Sequence, residues 1–265
     1  MSYFTVSYMI KISEQTSINY KAVKEVVRCY NTLDYSPRLR ELLLMIYPGN
    51  NYNQVCKLEL HRKINELILK SYDGEQVLKY ELFKAFQHKN VVAAYEIKVK
   101  SSRVDFLTIN GHTTSFEIKS NLDNLDKLAK QSLDYLSAFE FNNLVIHERH
   151  LKKCLEMAPS NFGIITVNKD QHSFYRKPKF NQQLNPANQI TLLTKKELVQ
   201  YFGMVNQEDI IVSNNTDTIN DLFKVALKDR YRSRWEFIVE HSNDILPIDI
   251  QFFFNKNIKP SHIYS

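Results

Sequence analysis

Asp105, Glu117 and Lys119 are the residues of this chain whose types and spacing could do chemistry. Two carboxylates offer hard oxygen ligands of the kind Mg²⁺ or Mn²⁺ prefers, and a lysine two residues beyond the second could hold or help deprotonate a water beside such a cation. Without a user the set is costly, because clustered like charges in a half-buried site shift one another's pKa values and reduce stability. A surface salt-bridge cluster is the other reading of Asp…Glu-x-Lys taken alone, since so short a pattern recurs by chance.

A hairpin must position these groups. Arg103 to Ile109 and Thr114 to Lys119 are rich in β-branched and aromatic residues and are joined across Asn110-Gly111, a dipeptide that tolerates the positive φ of a tight turn. Strand alternation puts Arg103, Asp105 and Leu107 on one face of the first run, and Glu117 and Lys119 on one face of the second, opposite Phe116 and Ile118. The period then changes to that of a helix. Leu122, Leu125, Ala129, Ser132, Leu133 and Leu136 predict one apolar stripe, with Gln131 and Tyr135 side by side next to it.

Asp…Glu-x-Lys on a hairpin resembles the PD-(D/E)xK nuclease superfamily, with Val104-Asp105 standing where many members have Pro-Asp. Gln131-x-x-x-Tyr135 looks like the third motif of the RecB-type exonuclease branch. Asp105 with Asn110-Gly111, then Phe116-Glu117-Ile118-Lys119-Ser120 and Leu122-Asp123-Asn124-Leu125, are similar to a family of uncharacterised bacterial nuclease-like proteins, over about Tyr80 to Val167. The resemblance implies an α/β fold of restriction-endonuclease-like type, a mixed sheet flanked by helices, that hydrolyses phosphodiester bonds of nucleic acid, DNA rather than RNA. It implies a Mg²⁺ or Mn²⁺ ion held by Asp105, Glu117 and the Ile118 carbonyl. Lys119 would orient the water or stabilise developing charge, and Gln131 and Tyr135 would position the strand. In the superfamily an acid from the helix ahead of the first strand often joins the metal. Glu81, placed by its helical period among Val77, Leu78 and Ala85, is the expected one, and Glu96 its competitor. The alternative is a nucleic-acid-binding or partner-docking protein that keeps the fold without catalysis, and the complete Asp, Glu and Lys set speaks against it.

The rest of the chain divides around this stretch. Residues 1–74 read as a helical region, a layer completing the core or a partner-docking module; 75–168 as the nuclease core; 169–265 as an extension packed on it. Ser36-Pro37 opens a helix that Pro48-Gly49 closes, and 170–189 reads as a loop with a short hairpin around Phe174. Within 218–241, Ile219, Leu222, Phe223, Ala226 and Leu227 form an apolar helical side. Lys224, Lys228 and Arg232 line up near Tyr231 and Trp235, either a phosphate-contact stripe or a solvated face.

Composition excludes several classes. The 265 residues hold five dispersed glycines, which rules out a GxGxxG or P-loop nucleotide site. Cys29, Cys56 and Cys154 form no CxxC pair, so a disulfide framework is not expected, and Cys154 with His147 and His150 lacks the second ligand pair of a zinc site. The N-terminal MSYFTVSYMIKISEQ lacks a basic, then apolar, leader and no stretch reaches the length of a membrane span, so a soluble cytoplasmic protein is expected. The net charge of +6 favours polyanionic partners. A homo-oligomer or a protein partner stays open.

Overall fold

Residues 19–168 and 171–265 are described by a computed structural model of the chain; the N-terminal MSYFTVSYMIKISEQ and the start of the expected 170–189 loop lie outside them. Three helices lead: α1 (Tyr20–Cys29), α2 (Ser36–Ile46) and α3 (Lys57–Ser71). Val23, Val26, Leu39, Leu42, Leu60 and Ile64 close a small core among them, separate from the core around the sheet. The leading helices thus bury their apolar faces against one another rather than completing the sheet's core.

Helix α4 (Glu75–Phe86) then opens the α/β layer. The sheet has six strands in sequence order, β1 (Val92–Val99), β2 (Ser102–Ile109), β3 (Thr113–Lys119), β4 (Phe141–His147), β5 (Gly163–Asn168) and β6 (Gln171–Arg176). β1, β2 and β3 form an antiparallel meander, β3, β4 and β5 are parallel, and β6 returns antiparallel, which makes the sheet mixed. The Asn110-Gly111 turn forms where expected, with Gly111 at φ 70°, an angle a glycine adopts without steric cost. α5 (Leu128–Leu136) crosses from β3 to β4, and α6 (Leu151–Met157), entered through a 3₁₀ turn, crosses from β4 to β5. Both links join parallel strands, which a tight turn cannot do.

β6 contains Phe174, where a short hairpin was expected inside the 170–189 loop, and it pairs antiparallel with β5, so the sheet runs past the boundary drawn from sequence. The later helices are α7 (Pro186–Thr191), α8 (Lys195–Phe202), α9 (Gln207–Ser213), the 25-residue α10 (Thr216–Glu240), α11 (Ile250–Lys256) and α12 (Pro260–Tyr264). α10 lies against β1, and its Trp235 meets Phe83 of α4 and Phe106 of β2 edge-on. The architecture is therefore a mixed α/β sheet flanked by helices, with helical regions at both ends. Among the described residues, no helix is long and apolar enough to cross a membrane.

Candidate metal centre

The β2–β3 ladder runs from Ile109 opposite Thr113 to Phe106 opposite Phe116 and stops there. Asp105 and Glu117 are the next residues, so both carboxylates stand where the strands part. The freed Ile118 N–H donates to Asp105 Oδ2 at 2.7 Å, while Oδ1 has no donor among the described residues. Lys119 Nζ donates to Glu117 Oε1 at 2.6 Å. From α5, Gln131 Nε2 reaches the same Oε1 at 2.5 Å and the Tyr135 hydroxyl reaches Oε2 at 2.5 Å. Asp105, Glu117, Lys119, Gln131 and Tyr135, drawn from three elements, thus meet around one carboxylate.

Helix α5 does this with a face that overlaps the expected one in part. Asp123 accepts from the Ser120 N–H at 2.7 Å and from its hydroxyl at 2.5 Å, holding a turn that delays the helix to Leu128. The expected stripe is therefore met in part, with its Leu125, Ser132 and Leu136 buried. Leu128, Ser132, Tyr135 and Leu136 are buried, whereas Ala129 and Leu133 face solvent.

Burial dominates the electrostatics. It raises the Asp105 carboxyl well above the usual range, helped by Glu117 and Glu75 and opposed by Lys79 and the Ile118 N–H. Burial likewise raises Glu117, against the stabilising Lys119, Tyr135 and Gln131. For Lys119 burial works downward, but Glu117 outweighs it and the ammonium is held above its ordinary value. A buried Glu117 beside a half-buried Asp105 is a donor set that a divalent cation fits. Asp105, Glu117 and the Ile118 carbonyl are hard oxygen donors of the type Mg²⁺ and Mn²⁺ take.

Glu81 does not join them. It is exposed, pairs with Lys84 at 2.7 Å on its own helix, and borders a cavity of about 670 Å³ that none of the five site residues lines. Phe83 packs on Trp235 and Phe86 on Phe106 and Phe116, and these aromatic contacts turn the Lys79, Leu82, Phe83 side of α4 inward. At roughly 100° per residue, Glu81 then lies on the far side of the helix from Lys79. The acids that approach Asp105 are Glu75, in the first turn of α4, and the competitor Glu96; oxygens of the three carboxylates lie within 4.8 Å of one another. Glu96 faces Asp105 across β1–β2, between the Tyr95–Phe106 and Ile97–Val104 pairs, and has left the ladder with φ 58°. For a residue with a Cβ that conformation costs about 1–2 kcal/mol. Glu75 carried no distinguishing sequence signal beyond being an acid in a helical first turn.

The C-terminal stripe is only partly available. Lys224 is bound to buried Glu140 at 3.2 Å and to Asp221 at 2.9 Å, so it serves the fold. Arg232 is half-exposed beside Asp229, and Lys228 has no ion-pair partner among the described residues. Tyr231 and Trp235 are buried and offer no ring to a base. His150 is hydrogen-bonding distance from the Ser120 carbonyl and Cys154 is buried, leaving no zinc cluster with His147 among the described residues.

No curated protein matches the chain. Among solved structures it is similar to a protein of unknown function from Silicibacter pomeroyi, at 19% identity over 45% of this chain and 80% of that one, with a TM-score of 0.34. Residues 54–253, from just before α3 into α11 and so including every residue of the centre, match the family described as Bacteriophage P4 protein cII, and the chain belongs to that family.

Proposed function

We propose that this protein is a metal-dependent nuclease of PD-(D/E)xK type that hydrolyses phosphodiester bonds of nucleic acid, with DNA the first substrate to test and RNA the second. The observation that carries the reading is the convergence on Glu117 of Lys119, Gln131 and Tyr135, with Asp105 alongside at the parting of β2 and β3. Asp105, Glu117 and the Ile118 carbonyl would hold Mg²⁺ or Mn²⁺. Once bound, such an ion shields phosphate charge and lowers the pKa of a water.

The chain's own groups have distinct tasks in this reading. Lys119 keeps its proton through Glu117, so it acts as a cation that orients water or meets charge developing on the phosphate, not as a base. Gln131 and Tyr135 fix the Glu117 carboxylate and through it would position the strand. Charged side chains beside the centre suit a polyanion: Lys98 and Arg103 face each other across β1–β2, one alternation beyond Glu96 and Asp105, and Lys100 is exposed at the turn.

One observation favours a second reading, a nucleic-acid-binding protein without catalysis. Glu117 already accepts three hydrogen bonds, which compensate much of its charge with no cation present. Incubation with circular, linear and single-stranded DNA and with RNA, in Mg²⁺, Mn²⁺ or EDTA, separates the two. The nuclease reading expects cleavage that stops with EDTA and is lost in Asp105→Ala. Cleavage in EDTA that survives Asp105→Ala would end it, and binding without cleavage in any metal would favour the second.

A further inference from the structure

The group that occupies the space between Glu75, Glu96 and Asp105 is a lysine. Lys79 is 4% exposed, one helical turn after Glu75 on the inward side of α4. Its ammonium pairs with Glu75 at 2.5 Å, pairs with Glu96, and donates to Gln251 Oε1 of α11 at 2.9 Å. An ammonium has three hydrogens, and these three acceptors use all of them. Burial acts to lower its pKa, but Glu75 and Asp105, with the bonds to Glu75 and Glu96, hold it above the ordinary lysine value.

We infer that Lys79 is the resident counter-cation of this centre and limits it to one divalent ion. The inference rests on reading Asp105 and Glu117 as a metal site. Three carboxylates within 4.8 Å would otherwise offer oxygen ligands for a second ion sharing Asp105 with the first. The lysine takes that place with a single charge that cannot dissociate, because α4 carries it and Gln251 braces it from the C-terminal region. Glu96 accordingly holds Lys79, and also approaches Arg103 at 3.5 Å, rather than a metal. The nitrogen sits among the acids as a charge, without the vacant coordination positions a second ion would bring to a phosphate. Lys79 is therefore a positioning residue, acting through the carboxylates it holds.

The test is Mn²⁺ stoichiometry of the full chain by calorimetric titration and by electron paramagnetic resonance, without nucleic acid. Wild type should take one ion and Lys79→Met two, the second giving the spin coupling of a close pair; Lys79→Arg should stay at one. Glu96→Gln, a change at a partly exposed residue that tests the point even where Lys79→Met fails to fold, should leave one ion bound, weakened by no more than about 10–100-fold, because Glu96 lies outside the ligand set. Two ions in wild type, one in folded Lys79→Met, or loss of the ion in Glu96→Gln would each overturn the inference. No ion in wild type but one in Lys79→Met would uphold the role of Lys79 while refuting the Asp105 and Glu117 site. No ion in either protein would refute both.

Discussion

The Tyr135 hydroxyl donates to Glu117 Oε2 across 2.5 Å, and the hydroxyl oxygen of Tyr135 also lies 2.8 Å from the Arg103 carbonyl, so the last turn of α5 is fastened to both strands of the hairpin where they part. The ring is 1% exposed and belongs to the core, while its oxygen belongs to the site. Tyr135→Phe keeps the packing and removes one bond to a charged acceptor. It should cost about 1.5–3 kcal/mol in urea unfolding and lower cleavage as Glu117 loosens. An unchanged unfolding midpoint would show that the bond carries no net energy.

Asp105→Asn should leave the metal-free protein at least as stable as wild type, because burial already disfavours the charged form. It should also abolish stabilisation by Mn²⁺, which for an ion binding only the folded state is about 2.7 kcal/mol at a hundredfold excess over Kd. Thermal unfolding with Mn²⁺ and with EDTA measures both. A full Mn²⁺ shift in the variant would remove Asp105 from the ligand set.

Lys119→Met is the contrasting case. It strips a 2%-exposed Glu117 side chain of its only ion-pair partner among the described residues, so the metal-free variant should lose about 3 kcal/mol, the low end for breaking a buried pair. Mn²⁺ should restore much of that loss, and cleavage should still fall by roughly a hundredfold to ten-thousandfold. Full turnover in this variant would refute the role given to Lys119.

pH dependence should reveal the seam between the N-terminal helices and the C-terminal region. Tyr30, Thr32 and Tyr264 donate to buried Asp249, and the Tyr30 hydroxyl also meets His61 Nδ1 at 2.8 Å. Burial pushes Asp249 up to about 6 and His61 down to about 4. A raised carboxyl contributes stability that is full below its unfolded value of 3.8 and is lost as pH rises through about 6, a change of roughly 3 kcal/mol. The lowered histidine contributes stability that is full above 6.5 and is lost as pH falls through about 4, a change of about 3 kcal/mol in the opposite sense. The two slopes nearly cancel. Asp249→Asn should uncover the histidine, so that its stability relative to wild type rises by about 3 kcal/mol from pH 4 to 6.5. A pH-independent difference in denaturant midpoints would show that Asp249 titrates normally.

Salt dependence should divide the cations of α10. Lys228→Ala and Arg232→Ala can each remove at most one phosphate contact, flattening the log K against log salt slope by about one unit apiece. Lys224→Ala should leave the slope alone and lower stability, because it removes the lysine partner of buried Glu140. Lys98, Lys100 and Arg103 replaced together should flatten the slope by roughly two to three units. Binding measured with Ca²⁺ in place of Mg²⁺ tests all three, and a slope that responds to Lys224 alone would reverse the assignment.

The hairpin, the Glu-x-Lys pair and the four-residue step from Gln131 to Tyr135 were legible in the sequence because each is a short-range relation. Alternation along a strand, the φ tolerance of Asn-Gly and the pitch of a helix operate within a few residues, and the order of strands follows from short connections. Helix α4 shows where that legibility ends. Val77, Leu78, Leu82, Phe83, Ala85 and Phe86 spread apolar character around much of its circumference, so its period admits more than one inward side. Trp235, more than a hundred residues downstream, settles the matter by packing on Phe83. With that contact Glu81 turns to solvent, and Glu75 and Lys79 turn to Asp105. Lys224 follows the same logic: on its own helix it reads as one of three aligned cations, and Glu140, 84 residues away, makes it internal. Local periods determined most of the elements and, in the hairpin, which residues share a side. Which side of α4 and α10 meets the sheet was decided by packing and ion pairs between residues distant in the chain, and no local period encodes those contacts.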